Sequence, residues 1–370
     1  MPVYQSASIR LTGQTTPRNV RLGETNFCFL ICSERSGSNL ISTMMACHSA
    51  VTAPPPYHLC RDIGNNLHTT LEMGTASPSW QQMKKLIVGR VMKFKSMEEA
   101  KRLALWLNAK DRISFGEIAR HVYCELDGAD SRPTVFIKEN NLHRLLFFIL
   151  QCFPGAKFVF QVRDPRDYLV SAHARKGKWL GNKFGSNRHA MDIWRADQLG
   201  GLNALAHLGS ERVFFQRYED LISNPEAVLS ALCRFLGLDF EPAMLDFHKS
   251  NHAARLAEPG GPRENLNKPL IANNFGQYRQ QLSKNQIKMV ETYVGDLMER
   301  FGYQRDFPDT RVPGLFRVFW PQICEPVERY INGEKRPFYS DGLIVATGLA
   351  GAPLATPYAR TSSRSSGDGN

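Results

Sequence analysis

Four short apolar runs constrain this chain more than any other feature. They are Phe27 to Cys32, Thr134 to Ile137, Lys157 to Val162 and Arg212 to Gln216, each four to six residues long. None alternates cleanly between polar and apolar positions, so each strand must be covered on both faces. Helical segments follow them: 39–47 after the first, 141–152 after the second, 165–175 after the third and 225–236 after the fourth. Punctuation agrees with these spans. Pro154-Gly155 and Gly237 stop helices, Pro165 and Asn224-Pro225 open them, and a further helix runs from Ser283 to Gly302. Residues 78–126 also place charged and apolar positions at helical spacing, with no catalytic signature. Strands alternating with helices of roughly 10–15 residues predict an α/β fold. Its architecture is three-layered, a mostly parallel sheet flanked by helices.

The length, 370 residues, suits about two domains or one large domain with insertions. With 22 Phe, 11 Tyr and 5 Trp the chain can build a core, which excludes disorder of the whole. No apolar run approaches the ~20 residues of a membrane span. The opening MPVYQSASIRLTGQTT has no apolar stretch of a secretory signal, so a cytoplasmic protein is expected. The eight Cys form no CxxC pair and are expected as free, mostly buried thiols. His248 and His252 are four apart, but HKSNH offers no third ligand, and no metal is expected. Residues 1–25 read as a loose arm and 360–370 as a disordered tail.

The formal charge is +11, and it is uneven. Residues 81–120 carry ten Lys and Arg against four Asp and Glu, and residues 155–190 carry eight against two. This balance suits an anionic partner and by itself leaves nucleic acid, a phosphorylated cofactor or plain solubility open. Two loops narrow the choice. Ser33-Glu34-Arg35-Ser36-Gly37-Ser38-Asn39 lies between the first strand and its helix, where backbone amides and a helix N-terminus face an anion. The Walker pattern fails there. Ser38 follows Gly37 where Lys is required, and Cys32 holds the upstream Gly position, which disfavours a kinase reading. The third strand ends at Arg163, and Asp164-Pro165-Arg166-Asp167 opens the next helix. Asp164 can cap that helix and Asp167 can reach back to it. Arg163 is not needed for capping. It stands free for a ligand or for a salt bridge to Asp164 or Asp167, and Ser171 lies two turns on.

Together these elements resemble the PAPS-dependent sulfotransferase family. Arg35-Ser36-Gly37-Ser38-Asn39 matches its 5′-phosphosulfate loop. Arg163, Asp164-Pro165-Arg166-Asp167 and Ser171 match its 3′-phosphate motif. Gln216-Arg217-Tyr218-Glu219-Asp220-Leu221, Asn224-Pro225-Glu226 and Phe235-Leu236-Gly237-Leu238 resemble the family's R-Y-E-D-L, P-E and F-L-G-L run. Asn274-Phe275-Gly276-Gln277-Tyr278-Arg279 resembles G-x-W-R, with Tyr278 in place of Trp. The resemblance covers residues 27–303 in order.

The resemblance implies a P-loop NTPase-like sulfotransferase domain over 26–303, with 60–130 as a helical acceptor-side insertion and 304–359 as a C-terminal extension. It implies PAPS as donor and PAP as product. Arg35, Ser36, Gly37, Ser38 and Asn39 would hold the phosphosulfate, and Arg163 and Ser171 the 3′-phosphate. Tyr218 would lie near the adenine, and Arg279 would close over the 3′-phosphate. Lys138, ending the second strand, would stand near the sulfuryl group. The general base does not follow from the motifs. Lys138-Glu139-Asn140 replaces the cytosolic branch's K-T-H, and Thr52-Ala53-Pro54-Pro55-Pro56-Tyr57-His58 lacks the Glu used elsewhere. His58 is the first candidate base and Glu139 the second. The expected acceptor is a small molecule or glycan bearing a hydroxyl or amine, with no nucleic acid partner. The resemblance leaves room for a homodimer. A non-catalytic basic protein binding nucleic acid or an anionic glycan is the alternative.

Overall fold

The computed structural model describes residues 25–64, 77–110, 113–126, 133–174, 186–257, 263–309 and 354–358. Its centre is one sheet of five parallel strands: β1 (Asn26–Cys32), β2 (Val51–Thr52), β3 (Thr134–Ile137), β4 (Lys157–Val162) and β5 (Val213–Arg217). The spatial order is β2-β3-β1-β4-β5. The chain therefore winds outward from β1 in both directions, and the loops after β1 and β4 leave the same edge side by side. In register, Phe29 pairs with Ile137 of β3 on one side, and Cys32 pairs with Gln161 of β4 on the other.

The uninterrupted apolar runs serve both faces, as expected. Phe27, Phe29 and Ile31 face one cluster with Phe158, Phe160, Phe215 and Trp194. Cys28, Leu30, Phe136, Val159 and Phe214 face the other, against Met44, Met45, Leu229 and Leu232. The second layer is built by α1 (Ser38–Ala46) and, later in the chain, Pro225–Leu236. The first layer holds α2 (Leu59–Gly64), α3 (Pro78–Val91), α4 (Met97–Asn108) and α5 (Phe115–Arg120). It also holds α6 (Leu146–Cys152), α7 (Pro165–His173) and α8 (Asn187–Leu208). Between β5 and the last long helix stand α9 (Tyr218–Ser223), α10 (Pro225–Leu236), α11 (Asn251–Leu256) and α12 (Tyr278–Gln281). The last long helix is α13 (Lys284–Arg300).

The sequence reading misses several short helices, α2, α9, α11 and α12, and with them β2 and α8. β2 is only two residues long, too short for any periodicity. α8 carries Gly200-Gly201 in its middle, which argues against a helix on propensity. The glycines are there because α8 lies tight on the sheet: a Cβ on Gly201 would stand 2.1 Å from the Phe160 ring. The single helical stretch at 78–126 resolves into α3, α4 and α5, the last two opened by capping boxes at Ser96 and Ser114. Trp80 and Phe115 of that insertion are spent in the core.

The loose arm, except residue 25, and the disordered tail lie outside the described residues, as do residues 310–353 of the C-terminal extension. Seven cysteines are described and all are free thiols. No described helix is long and apolar enough to cross a membrane. His248 and His252 each keep one buried nitrogen without a partner, but no group of three His, Cys, Asp or Glu that could hold a metal exists among the described residues.

The packing of α8 on β4 makes a direct prediction. Gly201→Ala drives a methyl into Phe160 and should destabilise by about 1–3 kcal/mol or more. Urea unfolding should show a lower midpoint at unchanged slope. An unchanged midpoint would contradict the close approach.

Candidate functional site

The site begins where β1 ends. Ser33 leaves the strand and its Oγ accepts from Gln198 Nε2 of α8 at 2.7 Å. Arg35 then takes a left-handed backbone, φ 71°, and Gly37 does so again at 82°. The second turn requires glycine twice over, because a Cβ at Gly37 would lie 2.3 Å from the Tyr218 ring. Gly37 is also the N-cap of α1, and no side chain caps the helix there. The first amides of α1 and its partial positive charge therefore remain available to an anion. Ser36 and Ser38 are buried, and Asn39 is half-buried.

Parallel pairing sets β4 beside this loop. Arg163 Nη1 donates to the carbonyl of Arg35 at 2.9 Å, and Arg35 Nε donates to Ser171 Oγ of α7 at 3.0 Å. Two segments more than 120 residues apart in sequence thus meet in one cradle. The Arg163 guanidinium lies 4.6 Å from the centre of the Tyr218 ring. The Tyr218 hydroxyl accepts from Asn274 Nδ2 at 2.9 Å. Two polar atoms of the cradle, Ser36 Oγ and Arg163 Nε, are buried without any partner. A buried polar atom left unpaired costs roughly 1–3 kcal/mol, so these are the atoms a ligand would satisfy.

The carboxylates around Arg163 are otherwise engaged. Asp164 caps α7 through the Arg166 amide at 2.8 Å and pairs with the Arg166 side chain at 2.7 Å. Asp167 does not reach back to the cap, contrary to the capping-box reading. The Asp164 amide is already taken by Glu219 Oε1 at 2.9 Å. Asp167 instead accepts the Tyr278 amide at 2.9 Å and the Gly276 amide, which fastens the 274–279 loop to the site. Arg279 rides on that loop, but its side chain is exposed. It stacks on Tyr278 at 4.8 Å and points at Asp306, 3.6 Å away. The described contacts do not join it to Arg163 or Ser171.

The sequence reading missed a buried amide relay under the loop. Gln216 Nε2 donates to Gln161 Oε1, and Gln161 Nε2 donates to the Ser36 carbonyl. The pair occupies facing register positions of β4 and β5. A lone Gln near the end of each of two otherwise apolar strands was its visible trace. Also unforeseen is Tyr358, whose hydroxyl donates to Asp220 at 2.8 Å and accepts from the Arg217 amide at 3.2 Å.

The other wall comes from β3 and α2. Lys138 follows β3, with Nζ 3.5 Å from Asn140 Oδ1, and Asn140 Nδ2 donates to Glu34 Oε1 at 2.7 Å. Burial pulls the Lys138 pKa below the usual lysine value. Glu139 points the other way, into the protein. It is 3% exposed, and its two oxygens accept the amides of Leu59 at 2.9 Å and Cys60 at 3.0 Å and the Tyr123 hydroxyl at 2.5 Å. These bonds cap α2. Burial raises the Glu139 pKa against those bonds.

His58 sits immediately before α2 with φ 62° and with Nδ1 buried and unpartnered. A non-glycine residue in that conformation is strained and must be held by its surroundings. Burial, then Arg61, Lys138, Arg90 and Lys93, lower its pKa to about 3. The imidazole is therefore neutral at physiological pH.

This geometry can bind a polyanion along the carboxyl edge of the sheet and sets a half-buried neutral imidazole within reach of the charge of a half-buried lysine. Comparisons with known proteins agree. The sequence profile described as Sulfotransferase family matches residues 28–242, more than half of the chain. Nodulation protein NoeE of Sinorhizobium fredii is 25% identical over 313 residues, 78% of this chain and 68% of that protein. Omega-hydroxy-beta-dihydromenaquinone-9 sulfotransferase Stf3 of Mycobacterium bovis is 28% identical over 197 residues, 48% of this chain and 43% of that enzyme. The sulfotransferase domain of the Synechococcus PCC 7002 olefin synthase shares the fold, with a TM-score of 0.52 at 22% identity, covering 76% of this chain and 98% of that one. The chain belongs to the sulfotransferase family.

Proposed function

We propose that this chain moves the sulfuryl group of PAPS to a hydroxyl or amine of a small-molecule or glycan acceptor. The observation that carries the donor assignment is the cradle itself. Arg163 Nε and Ser36 Oγ are buried and unpaired in it, while Arg163 and Arg35 are locked together. A nucleotide with two separate anionic groups suits such a cradle. Ser36, Gly37, Ser38 and Asn39 would hold the 5′ side through amides and hydroxyls, and Arg163 and Ser171 the 3′-phosphate. Tyr218, fixed against Gly37, would flank the base. Arg279 is exposed, and its loop would have to close for it to reach the 3′-phosphate.

In the transfer, the bond from sulfur to the phosphate oxygen breaks as the acceptor's oxygen or nitrogen bonds to sulfur. The electron pair stays on the phosphate of PAP. Arg35 and Lys138 would stabilise the charge that grows there. The acceptor's proton goes to His58. A neutral imidazole with a free buried nitrogen can accept it, whereas Glu139 has both oxygens occupied. We therefore give Glu139 a positioning role. It caps α2 and so holds the strained His58 turn. Burial does most to lower the His58 pKa; the negative charge of a bound donor would offset the cations that lower it further, strengthening the base when the substrate is in place.

The test is PAP release from PAPS in the presence of hydroxylated acceptors, with variants read beside the wild type. Arg35→Ala and Arg163→Ala should each weaken PAP affinity by about 100-fold or more. Normal PAP affinity in both would sink the donor assignment. His58→Ala should lower kcat by about 100-fold or more and leave PAP affinity unchanged. With His58 neutral from pH 5 to 8, kcat/KM for PAPS should show no acid limb near 6.5. Such a limb, lost in His58→Ala, would contradict the buried geometry. Glu139→Gln leaves one buried acceptor too few and should lower kcat by about tenfold and stability by about 1–3 kcal/mol. Unchanged kcat would remove Glu139 from the positioning role.

A further inference from the structure

Beside His58, on the acceptor side, stands a group of cations that the donor does not need. Arg61 lies on α2 and Arg90 near the end of α3, and one carboxylate, Asp62, joins them. Arg61 Nε reaches Asp62 Oδ1 at 3.0 Å, and Arg90 Nε reaches Asp62 Oδ2 at 2.6 Å. Among the described residues each guanidinium is held through Nε alone, so the two terminal amino groups of both are left for another partner. Both side chains are partly exposed, at 26% and 24%. Lys93 follows Arg90 by three residues, is exposed, and pairs with no described carboxylate. Asp62, and Glu139 whose carboxyl feels the charge of Arg61 from beneath α2, are the carboxylates set against these three cations, which leaves a positive excess. That excess is not on the β1 and β4 loops that would hold the nucleotide. It is on α2, which begins at the residue after His58, and on the end of α3 and the turn that follows it.

Two guanidinium forks fixed by a shared carboxylate are a prepared site for an oxyanion. Their remaining N–H groups are planar, paired and always charged. The turn keeps these cations near the imidazole: Arg61 follows His58 by three residues, the Asp62 amide donates to the His58 carbonyl at 3.0 Å, and the charges of Arg61, Arg90 and Lys93 all reach His58. An anion held there would lie next to the imidazole, on the same molecule whose hydroxyl or amine must face it. It would also counter the field of Arg61, Arg90 and Lys93 at His58, all three of which lower that imidazole's pKa.

We infer that the acceptor is anionic. Its carboxylate, sulfate or phosphate group docks on Arg61, Arg90 and Lys93 while its nucleophile faces His58. This inference rests on the sulfotransferase reading above and names the substrate class of the same site.

The experiment is calorimetric titration of the PAP-loaded protein with glucose 6-phosphate and with glucose, which differ in one phosphate. The phosphate ester should bind at least about tenfold tighter than glucose. In Arg61→Gln/Arg90→Gln that advantage should fall by about tenfold, and in the exposed Lys93→Gln by about threefold. Thermal unfolding of each variant keeps a folding defect apart from a lost site, and Lys93→Gln disturbs no described contact. Equal binding of the two sugars would overturn the inference, as would an advantage that survives all three substitutions. It would then be the staple of α2 to α3 alone. PAP affinity is read separately. If the wild type fails to bind PAP, the donor reading fails, and the two sugars are compared on the unloaded protein. If PAP binds and the variants retain the phosphate advantage, only the acceptor inference fails.

Discussion

Everything at this site depends on the parallel pairing of β1 with β4. Once Cys32 is in register with Gln161, the loops that follow must leave the sheet together. That places Arg163 within 2.9 Å of the Arg35 carbonyl and Arg35 within 3.0 Å of Ser171. Neither contact could be arranged by local structure, since the segments are separated by most of a domain. A one-residue slip would exchange the faces of β4 and bury the wrong side chains. The core that fixes the fold thus also fixes the site.

Around that constraint the protein spends buried polar groups to keep backbone in costly shapes. Arg35, His58 and Asn273 all have left-handed backbones without being glycine; the first two stand at the site and the third opens the loop that carries Arg279. Each has a specific support nearby. Gln161 and Gln216 hold the first loop from below, Glu139 caps the helix after His58, and Asp167 fastens the loop of Arg279. Strain that persists because its surroundings dictate it is a mark of a working site. The unpaired atoms of the cradle, Arg163 Nε and Ser36 Oγ, are the complement: groups kept dry and unsatisfied, at a cost that a bound anion would offset.

Much of this was legible in the residues. Four of the five strands could be read because buried parallel strands are continuous apolar runs, a pattern that needs no partner to be visible. The loops after β1 and β4 could be read because glycine, serine and arginine at a strand's carboxyl end have few other uses. α8 could not, since its paired glycines answer to the Phe160 ring and not to helix propensity. Asp167 was read as a cap because sequence shows only its distance from Asp164. That Glu219 takes the cap amide first is a fact of tertiary structure. Glu139 looked like a base for the same reason. Its residue type and position beside Lys138 were visible, but not that its side chain turns inward to α2.

The account stands on one claim, that the edge formed by β1 and β4 is a nucleotide bisphosphate site and not a basic surface. Equilibrium titration with adenosine 3′,5′-bisphosphate, run beside ATP without added metal and at two salt concentrations, tests it most directly. The account predicts saturable one-to-one binding of the bisphosphate, with ATP much weaker. Absence of bisphosphate binding by folded protein, or equal binding of both nucleotides that vanishes with salt, would contradict it.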